Sequence, residues 1–293
     1  MQISAAQVKE LRERTGAGMM ECKKALIAAK GDLKIAVEEL RKSGIAKADK
    51  KSSRVAAEGA IIQRMSSDNK EVSMIELNSE TDFVARDENF LAFADALVET
   101  SLNEKFADVS DLADKNLSGQ DKTIEVSRQE LVAKVGENIN IRRLAYIKSE
   151  FPLGSYLHGS RIGVVVELDV DNKDLAKDIA MHIAASKPLV ISGEEVPEAL
   201  VNNEKEIFTA QALSSGKPQE IVEKMVVGRI KKFLDEISLL GQPYVKDPSM
   251  NVASLLSKHR AKVVSFTRFE VGEGVEKETE DFVEAVMSQV QGN

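Results

Sequence analysis

The sequence predicts an α+β protein made of short helices, small antiparallel sheets and one helical insertion. Three observations support this fold class. Residues 4–43 carry apolar side chains three and four positions apart, the period of amphipathic helices. Residues 60–147 and residues 155–271 each read as a hairpin, a helix, a second helix and a strand. Residues 188–240 interrupt the second of these units with apolar residues at heptad spacing.

The N-terminal segment is predicted to form a small bundle of three helices. Ser4 and Gln7 have the spacing of a capping box, which marks the start of the first helix. The glycine-containing stretch 15–18 separates the first helix from the second. Gly31 and Gly44 are expected to end the second and third helices, because glycine readily adopts the left-handed conformation found there.

The two repeated units are similar in pattern rather than in letters, and we infer two similar subdomains. In the first, a hairpin is followed by a helix with Phe90 and Phe93 on its apolar face. Ser127 and Glu130 suggest a capping box for the next helix, which Gly136 would end. The same order returns in the second unit, where a histidine lies on the apolar face of the first helix.

The insertion is predicted to be an antiparallel coiled-coil hairpin. Its seam contains Val222, Val226, Ile230, Phe233, Ile237 and Leu240. The facing stripe contains Leu200, Ile207, Ala210 and Leu213. Since heptad seams also pair between chains, a homodimer or a 2:2 complex with a partner stays open.

These patterns predict the domain boundaries. A last amphipathic helix is predicted at the C-terminus. The predicted segments are an N-terminal helical domain (1–46), a linker (47–57), core subdomain 1 (58–149), core subdomain 2 (150–187 and 241–272), the coiled-coil hairpin (188–240) and a C-terminal helical module (273–293).

The charge is unevenly distributed. Residues 1–57 hold 13 Lys and Arg against 7 Asp and Glu, whereas the remainder holds 27 against 41, for a total of −8. The excess of basic residues in the N-terminal segment is explained by a solvated helical face. The alternative is a basic surface that binds nucleic acid, as in a nucleic-acid or ribosome-associated adaptor. No aromatic residue precedes Phe83, so the basic segment lacks a platform for stacking bases.

Other features of the composition indicate a cytoplasmic protein. One cysteine, Cys22, excludes an internal disulfide and fits a reducing compartment. No signal peptide is visible, and no apolar run is long enough to cross a membrane.

The sequence offers no recognisable set of catalytic groups. The three histidines, His158, His182 and His259, lie far apart, and none has metal-ligand spacing to another histidine or to the cysteine. A phosphate-binding loop is also missing, because Pro218 stands where Ser or Thr should follow Gly216-Lys217. We therefore expect no cofactor, no metal, no bound nucleotide and no enzymatic chemistry.

The stretch Thr81-Asp82-Phe83-Val84 is the strongest candidate for a functional site. It follows an apolar strand pattern and precedes a helical one, which places a large aromatic residue at a turn. An exposed Phe83 would be a probe for another protein. On the alternative reading, Phe83 packs under its own helix and Asp82 caps that helix.

Several short segments of the chain form recognisable motifs. The segment Leu11–Leu26 reads LRERTGAGMMECKKAL, and Thr81–Ala85 reads TDFVA. Further motifs are the segments 136–139, 158–159, 184–188 and 268–274. In identity and order these motifs resemble those of the bacterial elongation factor Ts family, of which Leu11–Leu26 is the N-terminal motif.

The resemblance implies a guanine-nucleotide exchange factor for elongation factor Tu in protein biosynthesis. It implies a ubiquitin-associated-like N-terminal domain and a long form of the family, with the coiled coil. It assigns displacement of Mg²⁺ from elongation factor Tu to Thr81–Val84 and docking on its GTPase domain to Met19 and Met20. A second domain of the partner would also be contacted. Weaker partner contacts, transferred by motif position, are Gly136, Glu137, Asn138 and His158.

Overall fold

The computed structural model describes residues 3–214 and 218–275. The described chain divides into two compact units. One contains residues 3–64, 73–146 and 270–275, and the other contains residues 65–72 and 147–269. The mixture of helices and small sheets confirms the predicted α+β class. None of the helices within the described ranges is both long enough and apolar enough to cross a membrane.

The N-terminal helices are α1 (Ala5–Thr15), α2 (Met19–Ala28) and α3 (Leu33–Lys51). The capping box is present: the Ser4 hydroxyl accepts from the Gln7 amide, and the Gln7 side chain accepts from the Ser4 amide. Gly16 ends α1 with a φ of 67°, in the left-handed region that favours glycine. Leu11, Cys22 and Leu26 are fully buried between the helices, so Cys22 acts as a core side chain.

Helix α3 is longer than predicted. Gly44 does not end it, and the helix continues to Lys51, into the segment expected to be a linker. A Cβ atom at Gly44 would lie 3.3 Å from the Ala133 Cβ, so the missing side chain allows a close approach. Ala48, one turn later, is buried in the core of the first subdomain. Tertiary packing thus extends a helix that local sequence suggested would stop.

The first subdomain contains β1 (Glu58–Met65), β2 (Glu71–Ser79), α4 (Glu88–Glu104), α5 (Ile124–Val135) and β3 (Ile139–Lys148). Its sheet has the order β1-β2-β3. As predicted, Phe90 and Phe93 of α4 lie in the core, where Ile75 and Leu77 of β2 join them. Burial of this face holds the helix against the sheet.

The predicted capping box at Ser127 is wrong. Helix α5 begins four residues earlier, because the Thr123 hydroxyl accepts from the Val126 amide and acts as the N-cap. Ser127 is buried within the helix and donates to the Gln120 side chain. Gly136 ends α5 with a φ of 84°, as expected.

A buried carboxylate joins distant parts of the first unit. Glu76 of β2 is fully buried and accepts from the Asn78 side chain, Arg142, Arg143 and the Gly272 amide. The distance from the Gly272 nitrogen to Glu76 Oε1 is 2.8 Å. Two cations and two neutral donors therefore satisfy a charge that would otherwise be costly to bury.

The second subdomain repeats this arrangement around the insertion. Its elements are β4 (Gly154–His158), β5 (Ile162–Leu168) and α6 (Lys173–Ser186), then the inserted α7 (Glu198–Leu213) and α8 (Gln219–Ile237), then β6 (Pro243–Tyr244), β7 (Asp247–Asn251), α9 (Val252–Lys258) and β8 (Val263–Glu270). The sheet order β4-β5-β8 corresponds to β1-β2-β3. The short β6–β7 pair was not predicted.

The inserted helices pack against each other in antiparallel fashion. Val222 and Val226 of α8 are buried against Ala212 of α7, and the Phe208 and Phe233 rings meet edge to face. The coiled-coil character stays a prediction.

The predicted facing stripe on α7 is wrong at three positions. Ile207, Ala210 and Leu213 are exposed, whereas Phe208 and Ala212 face the partner helix. The Phe208 ring packs on Phe233 of α8, whereas Ile207 and Leu213 lie on the exposed side of α7. The predicted C-terminal helix of residues 273–293 lies, from residue 276 onward, outside the described residues.

His182 is a satisfied core histidine, as its position on an apolar helix face indicated. Its Nδ1 accepts from the Val245 amide at 3.2 Å, so the proton of the neutral ring lies on Nε2 and is donated to Gln242 Oε1 at 3.0 Å. Burial lowers the pKa of His182, with the Gln242 hydrogen bond acting in the opposite direction.

Acidification should therefore destabilise the second subdomain. The unfolded chain takes up a proton at His182 below about pH 6.5, while the folded ring stays neutral, so the stability falls as the pH drops below that value. An NMR titration should give a pKa for His182 below 6.5. Spectra of the His182→Gln variant assign the His182 signal. A His182 pKa at or above 6.5 would contradict this account.

Candidate functional site

The candidate segment joins a strand to a helix, as predicted. Strand β2 ends at Ser79, a single 3₁₀ turn covers Val84–Arg86, and α4 begins at Glu88. Asp87 caps α4 by accepting from the Asn89 amide. The hydrogen bond from the Asn89 side chain is the main cause that lowers the pKa of Asp87. The alternative in which Asp82 caps the helix does not hold.

Phe83 points into solvent. Its exposed fraction is 81%, so the alternative in which Phe83 packs under its own helix does not hold either. Its neighbour Val84 is partly buried against the core of the first subdomain and fixes the base of the turn. An exposed phenyl ring on an anchored turn is suited to insertion into an apolar pocket of another molecule.

Asp82 lies beside Phe83 and is paired with a cation of the same turn. Its Oδ2 is 3.0 Å from the Arg86 Nη2, and the two side chains are 47% and 79% exposed, respectively. An exposed pair of this kind contributes little to stability. The carboxylate can therefore exchange Arg86 for another partner at small cost.

The turn of residues 136–138 lies against the candidate segment. The Glu137 carboxylate accepts from both the amide and the hydroxyl of Thr81. Asn138 is buried, and its amide donates to Glu80, the residue before Thr81. The structure thus brings Thr81–Val84 and Gly136–Asn138 together. It directs the Glu137 and Asn138 side chains into the molecule.

Met19 and Met20 are also exposed, with exposed fractions of 61% and 65% at the start of α2. Methionines at helical positions often face inward, but here neither does. Both residues follow the Gly16 turn, which lies in the same compact unit as Phe83.

Lys134 connects the turn before α2 with the helix that follows Phe83. Its aliphatic carbons lie over Gly16, where a Cβ atom would be only 3.2 Å away, and its Nζ is 2.5 Å from the Asn89 Oδ1. Asn89 belongs to the first turn of α4. No sequence pattern pointed to Lys134, because a single exposed lysine in a helix carries no signal of its contacts.

His158 ends β4, in the other compact unit, as the hairpin pattern predicted. The residue is exposed, and its Nδ1 is 3.3 Å from the Tyr156 hydroxyl. Leu157 beside it is 40% exposed. His158 is therefore an exposed side chain of the second unit, whereas Phe83 belongs to the first.

A small cleft of the first unit is lined by residues of the three N-terminal helices and of α5. Val37, Leu40 and Val126 contribute to its apolar part. Lys122, which also lines the cleft, is paired with Glu130 at 2.6 Å. Within the described ranges, no three His, Cys, Asp or Glu residues are grouped as metal ligands.

Comparison with known proteins gives one consistent result. A family model described as elongation factor TS matches residues 80–273. The elongation factor Ts of Legionella pneumophila (strain Paris) is 59% identical over 288 residues, which cover 98% of each chain. That of Francisella tularensis subsp. novicida (strain U112) is 57% identical over 291 residues and 99% of each chain. That of Thioalkalivibrio sulfidiphilus (strain HL-EbGR7) is 55% identical over 294 residues and the whole of each chain. With identities of this size along its full length, the chain belongs to the elongation factor Ts family.

Proposed function

We propose that this protein is the guanine-nucleotide exchange factor of elongation factor Tu. It binds elongation factor Tu with GDP, displaces Mg²⁺ and releases GDP so that GTP can bind. The protein acts in the cytoplasm, where translation takes place. It carries out no covalent chemistry and itself binds neither nucleotide nor nucleic acid. Family membership supports the exchange role, and the exposed Phe83 on its anchored turn is the observation that carries the mechanism.

The exchange factor must bind the nucleotide-free GTPase more tightly than the nucleotide-bound one. Linkage makes the effect reciprocal, because a factor that weakens GDP binding is itself weakened by GDP. Each tenfold change requires about 1.4 kcal/mol of differential contact. Burial of one Phe side chain supplies roughly 1.5–3 kcal/mol. Phe83 alone can therefore weaken GDP binding by a factor of about 10 to 100, provided its pocket forms only in the nucleotide-free state of the partner.

Asp82 would act beside the ring. A GTPase holds GDP through its phosphates and Mg²⁺, so a carboxylate brought near the metal competes for its ligands. Asp82 is half-exposed and pairs with the exposed Arg86, and such a pair is broken at small cost, which leaves the carboxylate available for this task. Phe83 and Asp82 are adjacent, so one docking event delivers both groups.

Met19 and Met20 would dock on the same GTPase domain. Lys134 contacts both the Gly16 turn before these methionines and the start of α4 after Phe83, which favours joint use of the two apolar sites. His158 belongs to the other compact unit and is proposed to contact a second domain of elongation factor Tu. A homodimer or a 2:2 complex stays a prediction.

The decisive experiment measures GDP release from purified elongation factor Tu. Release of a fluorescent GDP analogue is followed after mixing with excess unlabelled GDP, with and without this protein. We expect a faster release, and a smaller acceleration when a chelator has already removed Mg²⁺. An unchanged release rate in the presence of Mg²⁺ would rule out the proposed function.

The methionine surface leads to a prediction about affinity. Met19→Ala combined with Met20→Ala should raise the factor concentration for half-maximal GDP release about 10- to 100-fold, since each methionine loses roughly 1 kcal/mol or more of burial. The maximal rate should stay near wild type, because the exchange groups are intact. Met19→Leu with Met20→Leu is the matched control and should bind normally. Equal half-maximal concentrations for the alanine variant and wild type would exclude the docking role.

A further inference from the structure

The turn that carries Phe83 is held by a reciprocal pair of carboxylates. Glu80 extends from the end of β2 to the Asn138 amide, with a distance of 2.6 Å to its Oε1. Glu137 extends in the opposite direction and binds Thr81. We call these four residues, Glu80, Thr81, Glu137 and Asn138, the carboxylate clasp.

Glu137 binds Thr81 through both of its oxygens. Oε2 accepts from the Thr81 amide at 2.9 Å, and Oε1 accepts from the Thr81 hydroxyl at 2.7 Å. The same hydroxyl accepts from the Val84 amide at 3.4 Å. Contacts that start at Glu137 therefore reach the backbone on both sides of Phe83. The Thr81 hydroxyl is fully engaged inside the molecule, which leaves Phe83 and Asp82 to meet a partner.

The second half of the clasp binds the chain that follows α3. The Asn138 side chain donates to the Arg54 carbonyl at 2.8 Å and to the Ser52 carbonyl at 3.3 Å. Glu80 Oε2 is also 3.5 Å from the Arg54 guanidinium. The segment that connects the N-terminal helices to β1 is thus fixed against the residues that fix the Phe83 turn.

We propose that Glu137 is a positioning residue for nucleotide exchange, acting through Thr81 on the orientation of Phe83. The inference rests on the proposed exchange function and assigns to Glu137 an internal role in place of the direct partner contact expected from its motif. An aromatic ring that must enter a pocket gains from a turn already held in the bound conformation, since less freedom is lost on binding. Without the Glu137 carboxylate, the ring would sample orientations that miss the pocket.

Two variants test the clasp from its two sides. Glu137→Gln removes one of the two acceptors and the charge, and Thr81→Val removes the hydroxyl without a change of shape. Each should slow the maximal GDP release about tenfold, because the less restrained ring must then be ordered on binding. Thr81→Ser keeps the hydroxyl and should restore the rate. Glu130→Gln, the same change on α5 where the carboxylate binds Lys122, is the matched control and should behave as wild type.

A double-mutant cycle separates positioning from a general loss of structure. If Glu137 acts through Phe83, Glu137→Gln should add no further loss in a Phe83→Ala background. Multiplicative losses in the double variant would overturn the proposal.

Hydrogen exchange provides a readout that does not depend on elongation factor Tu. Glu137→Gln should increase exchange at the Thr81 and Val84 amides while the melting temperature stays close to wild type. Unchanged amide exchange would overturn the inference even if the protein were an active exchange factor. Wild-type protein that fails to release GDP would instead overturn the proposed function, so the two failures are distinguishable.

Discussion

Phe83→Ala is expected to slow GDP release from elongation factor Tu about 10- to 100-fold at saturating factor. The ring loses roughly 1.5–3 kcal/mol of burial in the partner, and about 1.4 kcal/mol corresponds to each factor of ten. Because the ring is 81% exposed in the free protein, the variant should fold as stably as wild type. Stopped-flow release of a fluorescent GDP analogue measures the rate, and thermal melting checks the fold.

A second exposed apolar side chain provides the control for Phe83. Val227 on α8 is 71% exposed, and Val227→Ala should leave GDP release unchanged. Phe83→Leu should fall between wild type and Phe83→Ala, because it retains part of the apolar surface. A Phe83→Ala protein that releases GDP within twofold of the wild-type rate would exclude the proposed insertion.

Glu76→Ala should produce the largest loss of stability among the substitutions considered. It leaves Arg142, Arg143 and the Gly272 amide without their shared acceptor, and breaking a buried pair from one side costs about 3–5 kcal/mol. Both arginine side chains retain about a quarter of their exposure, so we expect a loss near the lower end, about 3 kcal/mol. Chemical denaturation followed by circular dichroism measures it.

Two further substitutions test whether the effect belongs to the buried carboxylate. Glu76→Gln keeps the shape and one acceptor, so its loss should be smaller, about 1–2 kcal/mol. Glu273 also approaches Arg143, at 3.4 Å, but its side chain is 31% exposed. Glu273→Ala should therefore cost less than about 1 kcal/mol. Equal denaturation midpoints for Glu76→Ala and wild type would refute the role assigned to this residue.

Local patterns predicted most of the elements in this chain. The capping box at Ser4, the helix end at Gly136 and the apolar face of α4 each depend on residues within one or two turns. The same local reasoning failed at Gly44, because the contact with Ala133 that continues α3 lies far along the chain. On α7, two adjacent apolar stripes compete, and only the packed partner helix shows that Phe208 faces inward.

The position of the candidate site along the chain was predictable, but the contacts that hold its turn were not. An aromatic residue at a strand-to-helix turn is visible in the sequence, whereas its exposure depends on the packing of the whole subdomain. The contact between Glu137 and Thr81 joins residues 56 positions apart, and that between Glu76 and Gly272 joins residues 196 apart. Single polar residues at such separations leave no periodic signal. Glu137 could be selected only by motif, and the motif suggested a different role for it.

The Glu76–Gly272 hydrogen bond has a consequence for the synthesis of the protein itself. At about 5–20 residues per second, roughly 10–40 s pass between the synthesis of Glu76 and that of Gly272. Arg142 and Arg143 follow Glu76 by 66 and 67 residues, so for about the last two-thirds of this interval the chain has all three charged residues but not the amide that completes the cluster. The first subdomain can therefore reach its final state only after almost the whole chain has left the ribosome. Nascent chains that stop before residue 272 should stay more sensitive to proteases than the finished protein.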